Sequence, residues 1–380
     1  MEKSKNGVFD FIKRLANRWF IEAFSGMAQG LFVTLIAGTI LKTIGQYVFK
    51  DTFVGTLLIL LGNIASIVTG FGIGVGMAYG LKADKLLVFS AGVAGFVGAY
   101  AKEIMAGATM QTLSLSFAKG APGNPISAYV CALLAIEIGK FVSGKTKLDI
   151  LLVPLTCMLL SAIGIYLSYP FIWLIGIISE GIKVATEITP FFMGIIVAVV
   201  MGLLLTLPTS SAAIWITVVG FYGDSVPEAI LLAGGAAVVG CSCHMVGFAV
   251  MSFRENGVSG LVSQGLGTSM LQIPNVMRKP VLFLPPVIAS AILGPVATCV
   301  FKLYCNAAGG GMGTSGLVGV FGVIQATTQS GHIKPWLMWL GIILLMFILP
   351  AVICLLVSEL MRKKGIIKFG DLKIGGSENK

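Results

Sequence analysis

The sequence predicts an all-α, polytopic membrane protein with about ten transmembrane helices and additional re-entrant hairpins. Three observations lead to this prediction. Charged residues make up 11% of the 380 residues and hydrophobic residues 56%, whereas soluble domains carry roughly 25% charged residues. Ten apolar stretches approach the length of a membrane-spanning helix. Three further segments are apolar but interrupted by Gly, Pro, Ser and Thr, which indicates broken helices that are surrounded by protein.

A surface helix is predicted for residues 1–20. Its apolar side chains, among them Phe9, Ile12 and Trp19, fall largely on one helical face, and its basic side chains fall mostly on the other. This pattern is typical of a helix that lies in the plane of a membrane interface. The basic residues interrupt any signal-peptide core and no small-residue cleavage site follows, so we expect an interfacial amphipathic helix.

Ten apolar segments follow, each close to the length of about 20 residues that a helix needs to cross a bilayer core. The predicted spans cover residues 21–48, 54–80, 85–101, 127–143, 149–168, 170–186, 189–207, 227–251, 280–303 and 335–360. Lys and Arg accumulate in cytoplasmic loops. Their distribution therefore predicts that both termini, including a tail over residues 362–380, are cytoplasmic. The net charge of +10 then reflects contact with membrane lipid and not with nucleic acid.

Residues 21–169, which contain the first five spans, are predicted to form a scaffold and dimerisation domain. They are rich in small residues, which let membrane helices approach closely. The stretch GFGIGVGMAYG (Gly70 to Gly80) has the glycine content of a phosphate-binding loop but lacks its spacing and its strand–turn–helix context. We therefore expect it to form a tight contact between helices or between subunits.

Residues 170–361 are predicted to form a transport domain with re-entrant hairpins, because all three broken segments of the chain lie in this range. These segments, 208–224, 258–275 and 306–331, contain the motifs LPTSSAAI, LGTSMLQI and MGTSGLVG, in each of which Pro or Gly precedes a Thr-Ser pair. Free N–H groups and hydroxyls at such breaks suit a polar or anionic solute at membrane depth. The candidate solute-binding residues are Thr209, Ser210, Ser211, Thr268, Ser269, Asn275, Thr314 and Ser315.

His244 lies in GCSCHMVGF, inside the eighth predicted span. A titratable group inside a membrane is costly and therefore suggests function, and its imidazole could bind a solute hydroxyl or relay a proton. The alternative is a structural histidine that bonds to a neighbouring helix. Gln325 and Gln329 are further candidates for solute binding, because they lie one helical turn apart and share a face toward any cavity beside Thr314.

Cys241 and Cys243 precede His244 and could form a soft-metal site, but no second cluster of ligands occurs in the sequence. We expect these cysteines to pack within the helix. The sequence therefore predicts no metal site and no cofactor.

The stretch from TPFFMGIIVAVVMGLLLTLPTSSAAI, through GCSCHMVGFAVMSFRENGVSGLVSQGLGTSMLQIPN, to GGGMGTSGLVGVFGVI resembles the IIC membrane component of the sugar phosphotransferase system, in its glucose-superfamily form. More narrowly, it is similar to a stand-alone IIC-like branch that includes proteins labelled as regulators of a pore-forming toxin. The resemblance covers nearly the whole chain. It implies a permease of the bacterial cytoplasmic membrane, a homodimer formed by the N-terminal half, and a transport domain that moves like an elevator. In IIC proteins the sugar lies near the hairpins, and a partner IIB protein passes phosphate to it.

The sequence departs from this family at one catalytic position. Sugar-phosphorylating members typically present a Glu in a hairpin motif of the Gly-Ile-Thr-Glu type, whereas Gly313 to Gly319 contains Thr314 and Ser315 and no acid. A general base for the sugar hydroxyl would therefore have to be His244, or be absent. No fused IIA or IIB domain is found. Protein-N(pi)-phosphohistidine–sugar phosphotransferase activity would therefore need separate IIA and IIB partners.

Three functions are compatible with the sequence. The first is a IIC-type permease for a sugar or similar small polar solute, served by a IIB protein in trans. The second is a secondary transporter of a small anionic solute that an ion gradient drives. The third is a membrane sensor or regulator that binds a solute without moving it.

Overall fold

The computed structural model describes residues 14–374 except residues 119, 187, 210 and 221–225. The described residues are mostly helical and include no β-strand, which confirms the all-α prediction. We number their helices α1 (Arg14–Gln46), α2 (Phe53–Ile67), α3 (Thr69–Gly80), α4 (Lys85–Ala99), α5 (Ala101–Met105), α6 (Met110–Ala118), α7 (Pro125–Gly139), α8 (Asp149–Ala185), α9 (Pro190–Thr206), α10 (Ser211–Gly220), α11 (Glu228–Met251), α12 (Phe253–Val262), α13 (Ile273–Arg278), α14 (Pro280–Val300), α15 (Val318–Ser330) and α16 (Pro335–Lys363).

Every predicted span corresponds to helix. Among the described residues, five helices are long and apolar enough to cross a membrane, namely α1, α8, α11, α14 and α16. Helices α2 and α3 together make a sixth candidate span, bent by 53° at the break between them. Helices α4, α7 and α9 are apolar but shorter. The chain is therefore a polytopic membrane protein, as predicted.

Helix α8 joins two of the predicted spans, 149–168 and 170–186, into one helix of 37 residues. At Ser168 the backbone N–H still donates to the carbonyl of Gly164, at 2.9 Å. Pro170 lies in the first turn of the part of α8 that follows Ser168. Proline is tolerated in a first helical turn, because the N–H that it lacks would have no helical partner there. At about 1.5 Å per residue, such a helix is nearly twice as long as a hydrocarbon core of about 30 Å. It is therefore longer than a single crossing requires.

Helix α9 ends at Thr206, and α10 begins at Ser211. Pro190, at the start of α9, lies beside Pro227 at the start of α11, and Thr206 at its end contacts His244. Helices α9 and α11 are therefore parallel. Helix α14 is antiparallel to both and follows the end of α11 through residues 252–279.

The glycine-rich helix α3 packs against two neighbours at once. Gly72 and Gly76 face α1, and a Cβ atom at Gly76 would lie 2.3 Å from the carbonyl oxygen of Gly26. Gly74 lies on the opposite face, where a Cβ atom would be 2.1 Å from the carbonyl oxygen of Ala91 in α4. The predicted tight contact between helices is confirmed, and these two glycine faces are occupied within one chain.

Buried apolar side chains form separate clusters on the two sides of the middle of α8. Ile165 and Ile172 pack with the N-terminal helices, whereas Ile178 and Ile182 pack with α9 to α11. Met270 lies in the C-terminal part of the chain but packs in the N-terminal cluster, with residues of α1. We call the helices before the middle of α8 the first body and those after it the second body. One segment of the second body, which includes Met270, packs against the first.

Candidate functional site

Helix α11 forms the centre of the C-terminal body. Every residue from Ala233 to Ala249 is buried. A helix that is buried on all sides lies within protein and not against lipid or water. Its polar residues, including His244, therefore face other helices.

Three polar side chains from three separate elements meet beside α11. His244 Nδ1 lies 3.0 Å from Oγ1 of Thr206, the last residue of α9. The same Thr206 oxygen lies 2.8 Å from Oγ of Ser269, which begins a short 3-10 turn after the cap residue Thr268. None of the three side chains is exposed. We call Thr206, His244 and Ser269 the polar cluster.

The polar cluster leaves one imidazole nitrogen of His244 without a partner, because its Nε2 atom is buried and has no hydrogen bond to any described residue. Two proton arrangements fit the distances. In one, His244 Nδ1–H donates to Thr206, whose hydroxyl donates to the carbonyl of Gly202 at 3.3 Å, and Nε2 is an acceptor. In the other, Thr206 donates to Nδ1, and Nε2–H is a donor. The hydroxyl of a ligand can pair with Nε2 in either state, because a hydroxyl both donates and accepts.

Close packing fixes the imidazole ring. The rings of Phe283 and Phe248 lie 5.9 and 6.2 Å from it, centroid to centroid. On the side of α9, a Cβ atom at Gly202 would lie 2.5 Å from His244 Cδ2. Glycine at this position therefore makes room for the histidine.

Two hairpins approach α11 from its opposite ends. The first hairpin, residues 253–278, lies at the C-terminal end, where Gln264 donates to Ser252 at 2.8 Å. The second hairpin, residues 301–330, lies at the N-terminal end, where the Cys305 backbone N–H donates to the carbonyl of Leu231 at 2.9 Å. Two hairpins that approach a buried helix from opposite ends are the arrangement expected of a pair of re-entrant elements.

The three Thr-Ser breaks meet around α11. Thr314 Oγ1, in the second hairpin, donates to the carbonyl of Gly265 in the first, at 2.5 Å. Ser211 Oγ, after the break between α9 and α10, donates to the carbonyl of Gly311 at 2.7 Å. The first hairpin supplies Ser269 to the polar cluster. The breaks therefore gather at one buried place and do not lie scattered on the surface.

Backbone conformation explains the glycines of MGTSG. Gly313 has φ of 55° and Gly316 φ of 52°, values that favour glycine. Gly313 also lies against α11, where a Cβ atom would be 2.8 Å from that of Cys241. Leu317 has φ of 60° without being glycine, which marks a strained turn at the start of α15.

The remaining hydroxyls of the breaks bond within the protein. Thr209 Oγ1 donates to the carbonyl of Leu204 at 2.6 Å, and Thr268 Oγ1 accepts from the N–H of Met270 at 3.1 Å. Ser315 Oγ is buried and has no partner among the described residues. Ser210 lies outside the described residues.

Three predicted site residues lie away from the polar cluster. Asn275 bonds to Gln272, at 2.7 Å, and to the carbonyl of Lys373, at 2.9 Å. Gln325 and Gln329 are exposed, and Gln325 accepts from Asn306 at 2.8 Å. The shared face expected for the two glutamines does not point at the buried breaks, so we leave them out of the site.

Sequence reasoning missed Thr206, which connects the cluster. Its signal was weak: a single hydroxyl at the end of the apolar run MGLLLT, two residues before Pro208. Its role depends on contact with Ser269, 63 residues away. No local pattern identifies such a partner.

No acidic or sulfur group of the described residues hydrogen-bonds to the polar cluster. Glu255, beyond the end of α11, pairs with Arg362 at 2.9 Å. The Cys241 thiol contacts the carbonyl of Met201, and the Cys354 thiol contacts that of Cys243. Within the described part of the chain, no group of three or more His, Cys, Asp or Glu side chains is placed to hold a metal ion.

Comparison with known proteins gives one family match. Residues 21–374 match the family model described as "Phosphotransferase system, EIIC", which agrees with the resemblance seen in the sequence. No curated protein and no solved structure gave a significant match. The matched range includes both hairpins and the polar cluster.

Proposed function

Because the chain belongs to the phosphotransferase system EIIC family, we propose that it is a permease that carries a sugar or similar small polar solute across the bacterial cytoplasmic membrane by an elevator-type movement. The observation that carries the proposal is the buried polar cluster, to which the first hairpin supplies Ser269 and in which His244 Nε2 has no partner among the described residues. An unsatisfied buried polar atom costs roughly 1–3 kcal/mol. A bound hydroxyl would remove that cost.

His244 is the proposed contact to the solute. With Nδ1–H donated to Thr206, its Nε2 lone pair can accept the proton of a solute hydroxyl. Loss of this proton to Nε2 would make the hydroxyl oxygen a better nucleophile toward phosphate, if a IIB protein delivers phosphate from the cytoplasm. Thr206 then orients the ring, and Ser269 and the unpartnered Ser315 are the proposed further hydroxyl contacts.

The arrangement of the two bodies supports an elevator-type movement. The second body touches the first mainly through its hairpins: a Cβ atom at Gly267 would lie 2.5 Å from a ring carbon of Phe32, and one at Gly316 would lie 3.3 Å from Ile40. Helix α8 connects the bodies over 37 residues. We propose that residues 21–169 form a fixed, dimerising scaffold and that residues 170–361 carry the solute past it.

The connections support termini on the cytoplasmic side. If α2 and α3 are one crossing and α9 and α10 are a hairpin, the crossings are α1, α2–α3, α4, α7, α8, α11, α14 and α16, an even number. Arg18 pairs with Glu137 at 2.7 Å, and Ser143 bonds to Asp84 at 3.0 Å. The start of α1 therefore lies on the same side as the basic loops after α3 and α7, which the distribution of Lys and Arg assigns to the cytoplasm.

Uptake into proteoliposomes tests the proposal. We expect the purified chain to accumulate at least one compound from a panel of radiolabelled hexoses, pentoses and polyols. His244→Asn should lower the initial rate at least about tenfold, because the asparagine amide can replace the Nδ1 contact but does not reach the Nε2 position. The matched control is Ser242→Ala, two residues earlier in α11, where the buried hydroxyl bonds only to the carbonyl of Val238.

The same assay separates the alternative functions. Flux that requires a phosphoryl donor and yields a sugar phosphate identifies a IIC component coupled to a IIB protein. Flux that requires an imposed ion gradient identifies a secondary transporter. Saturable binding with no flux of any compound would contradict a permease and leave a sensor.

A further inference from the structure

The chain after α16 turns back and lies along the first hairpin. Residues 366–374, which we call the tail strap, contain two fully or nearly fully buried aliphatic side chains. Leu372 is 0% exposed and Ile367 is 2% exposed. Both belong to the apolar cluster formed by α11, α14 and α16. The strap is therefore part of the packed body, although the sequence predicts a tail in this region.

Side-chain amides of the first hairpin bind the main chain of the strap. Asn256 makes two such bonds: its Nδ2 donates to the carbonyl of Leu372, and its Oδ1 accepts from the N–H of Ile374, both at 2.8 Å. Gln272 donates to the same Leu372 carbonyl, and Asn275 donates to the carbonyl of Lys373, both at 2.9 Å. Main-chain recognition of this kind is how proteins bind extended peptide segments.

An ion pair holds the start of the bound segment. Lys279 Nζ lies 2.6 Å from Asp371 Oδ2, and the N–H of Lys368 donates to the same oxygen at 2.7 Å. Partial burial raises the pKa of Asp371, but the hydrogen bonds from Lys279 and Lys368 outweigh it and hold this pKa below its ordinary value. The carboxylate is therefore ionised in the docked state.

The same amides continue into the segment that carries the polar cluster. Gln272 Nε2 donates to Gln264 Oε1 at 2.9 Å, and Gln264 in turn bonds to Ser252 at the end of α11. Gln272 ends the 3-10 turn that Ser269 begins. Strap, amides and Ser269 thus form one continuous set of contacts.

We propose that the strap is a releasable latch: its docking on Asn256, Gln272 and Asn275 holds the first hairpin closed, and its release frees residues 264–276 to move. In the described part of the chain, the strap's buried or ion-paired side chains are those of Leu372, Ile367 and Asp371. The remaining bonds use the main chain, so the strap can detach and dock again without any covalent change. The latch concerns the hairpin itself and does not depend on which solute the protein carries.

Hydrogen exchange of the full-length protein in lipid nanodiscs tests the latch, because it needs no solute. Leu372→Ala removes the buried anchor, at a cost of at least about 2 kcal/mol. We therefore expect amides of residues 264–276 to exchange about thirtyfold faster. The matched control is Phe369→Ala in the same strap, where the side chain is 77% exposed and exchange should not change.

A charge exchange gives a second test that does not depend on how Leu372→Ala folds. Lys279→Asp and Asp371→Lys should each accelerate exchange of residues 264–276, and the double variant should restore protection. Protection of residues 233–249 in α11 should stay at the wild-type level throughout. Faster exchange in the strap with unchanged exchange at 264–276 would overturn the proposal, as would a double variant that behaves like the sum of the two singles.

Discussion

Thr206 determines the geometry of the polar cluster. Its single hydroxyl oxygen contacts both His244 Nδ1 and Ser269 Oγ, and it thereby connects α9, α11 and the first hairpin. A hydroxyl has one proton and two lone pairs, so it can serve both neighbours at once. Removal of this oxygen leaves two buried polar groups unsatisfied, which costs more than the loss of one hydrogen bond.

We expect Thr206→Val to lower solute uptake at least about tenfold and to lower the thermal stability, because His244 and Ser269 each lose a buried partner. Thr43→Val is the control: Thr43 is 4% exposed and its hydroxyl bonds only to the carbonyl of Thr39 within α1. That variant should lose about 1 kcal/mol of stability and keep its uptake. Equal uptake by the two variants would remove Thr206 from the site.

Glycines set how closely α9, α11 and α14 approach one another. At Gly240 of α11, a Cβ atom would lie 1.9 Å from the carbonyl oxygen of Ala198 in α9. At Gly294 of α14, it would lie 2.2 Å from that of Gly194. Backbone atoms cannot move aside as a flexible side chain can, so any larger residue must separate the helices. Small residues of this kind are the usual contact between membrane helices.

Gly240→Ala should therefore destabilise the protein by about 1–3 kcal/mol, because α9 and α11 must move apart. Gly176→Ala in α8 provides the comparison, since nothing lies within 4 Å of a Cβ atom there. That variant should be neutral or more stable by up to about 1 kcal/mol. The melting temperature of each variant is measured by heating the protein in detergent and detecting the remaining folded fraction by size-exclusion chromatography. Similar melting temperatures would show that the close contact of α9 and α11 does not limit stability.

At the scale of the whole molecule, two packed bodies share one long helix and touch through hairpins. The connectivity places the basic loops after α3 and α7 with the start of α1. The loop before α16 lies at the opposite end, at the start of α11, because His332 Nε2 lies 3.1 Å from Glu228 Oε1. Together with the bias of Lys and Arg among the loops, these contacts predict that the loops after α3 and α7 are cytoplasmic and that the loop before α16 is on the other side.

Cysteine labelling from one side of the membrane checks that prediction. Cys299 is the exposed cysteine and the other six are buried, so Cys299→Ser gives a suitable background. In right-side-out vesicles, a membrane-impermeant maleimide should label Lys334→Cys directly and Lys82→Cys only after permeabilisation. Both lysines are exposed in the structure. The reverse pattern, or equal labelling of the two, would contradict cytoplasmic termini.

The sequence by itself determined the helical class, the positions of the apolar segments and the three breaks. These features depend on local properties: apolar length, and Gly or Pro next to Thr-Ser pairs. The sequence also identified His244 and Ser269, because a buried titratable group and a hydroxyl at a break are unusual wherever they occur.

The tertiary structure alone decided which of these groups meet. In the structure, His244 contacts Thr206 and Asn275 hydrogen-bonds to the tail strap. Gln325 is exposed, and two predicted spans are continuous in α8. Each outcome depends on contacts between residues that are far apart in sequence or on how a helix end packs. Composition and periodicity carry no information about such partners.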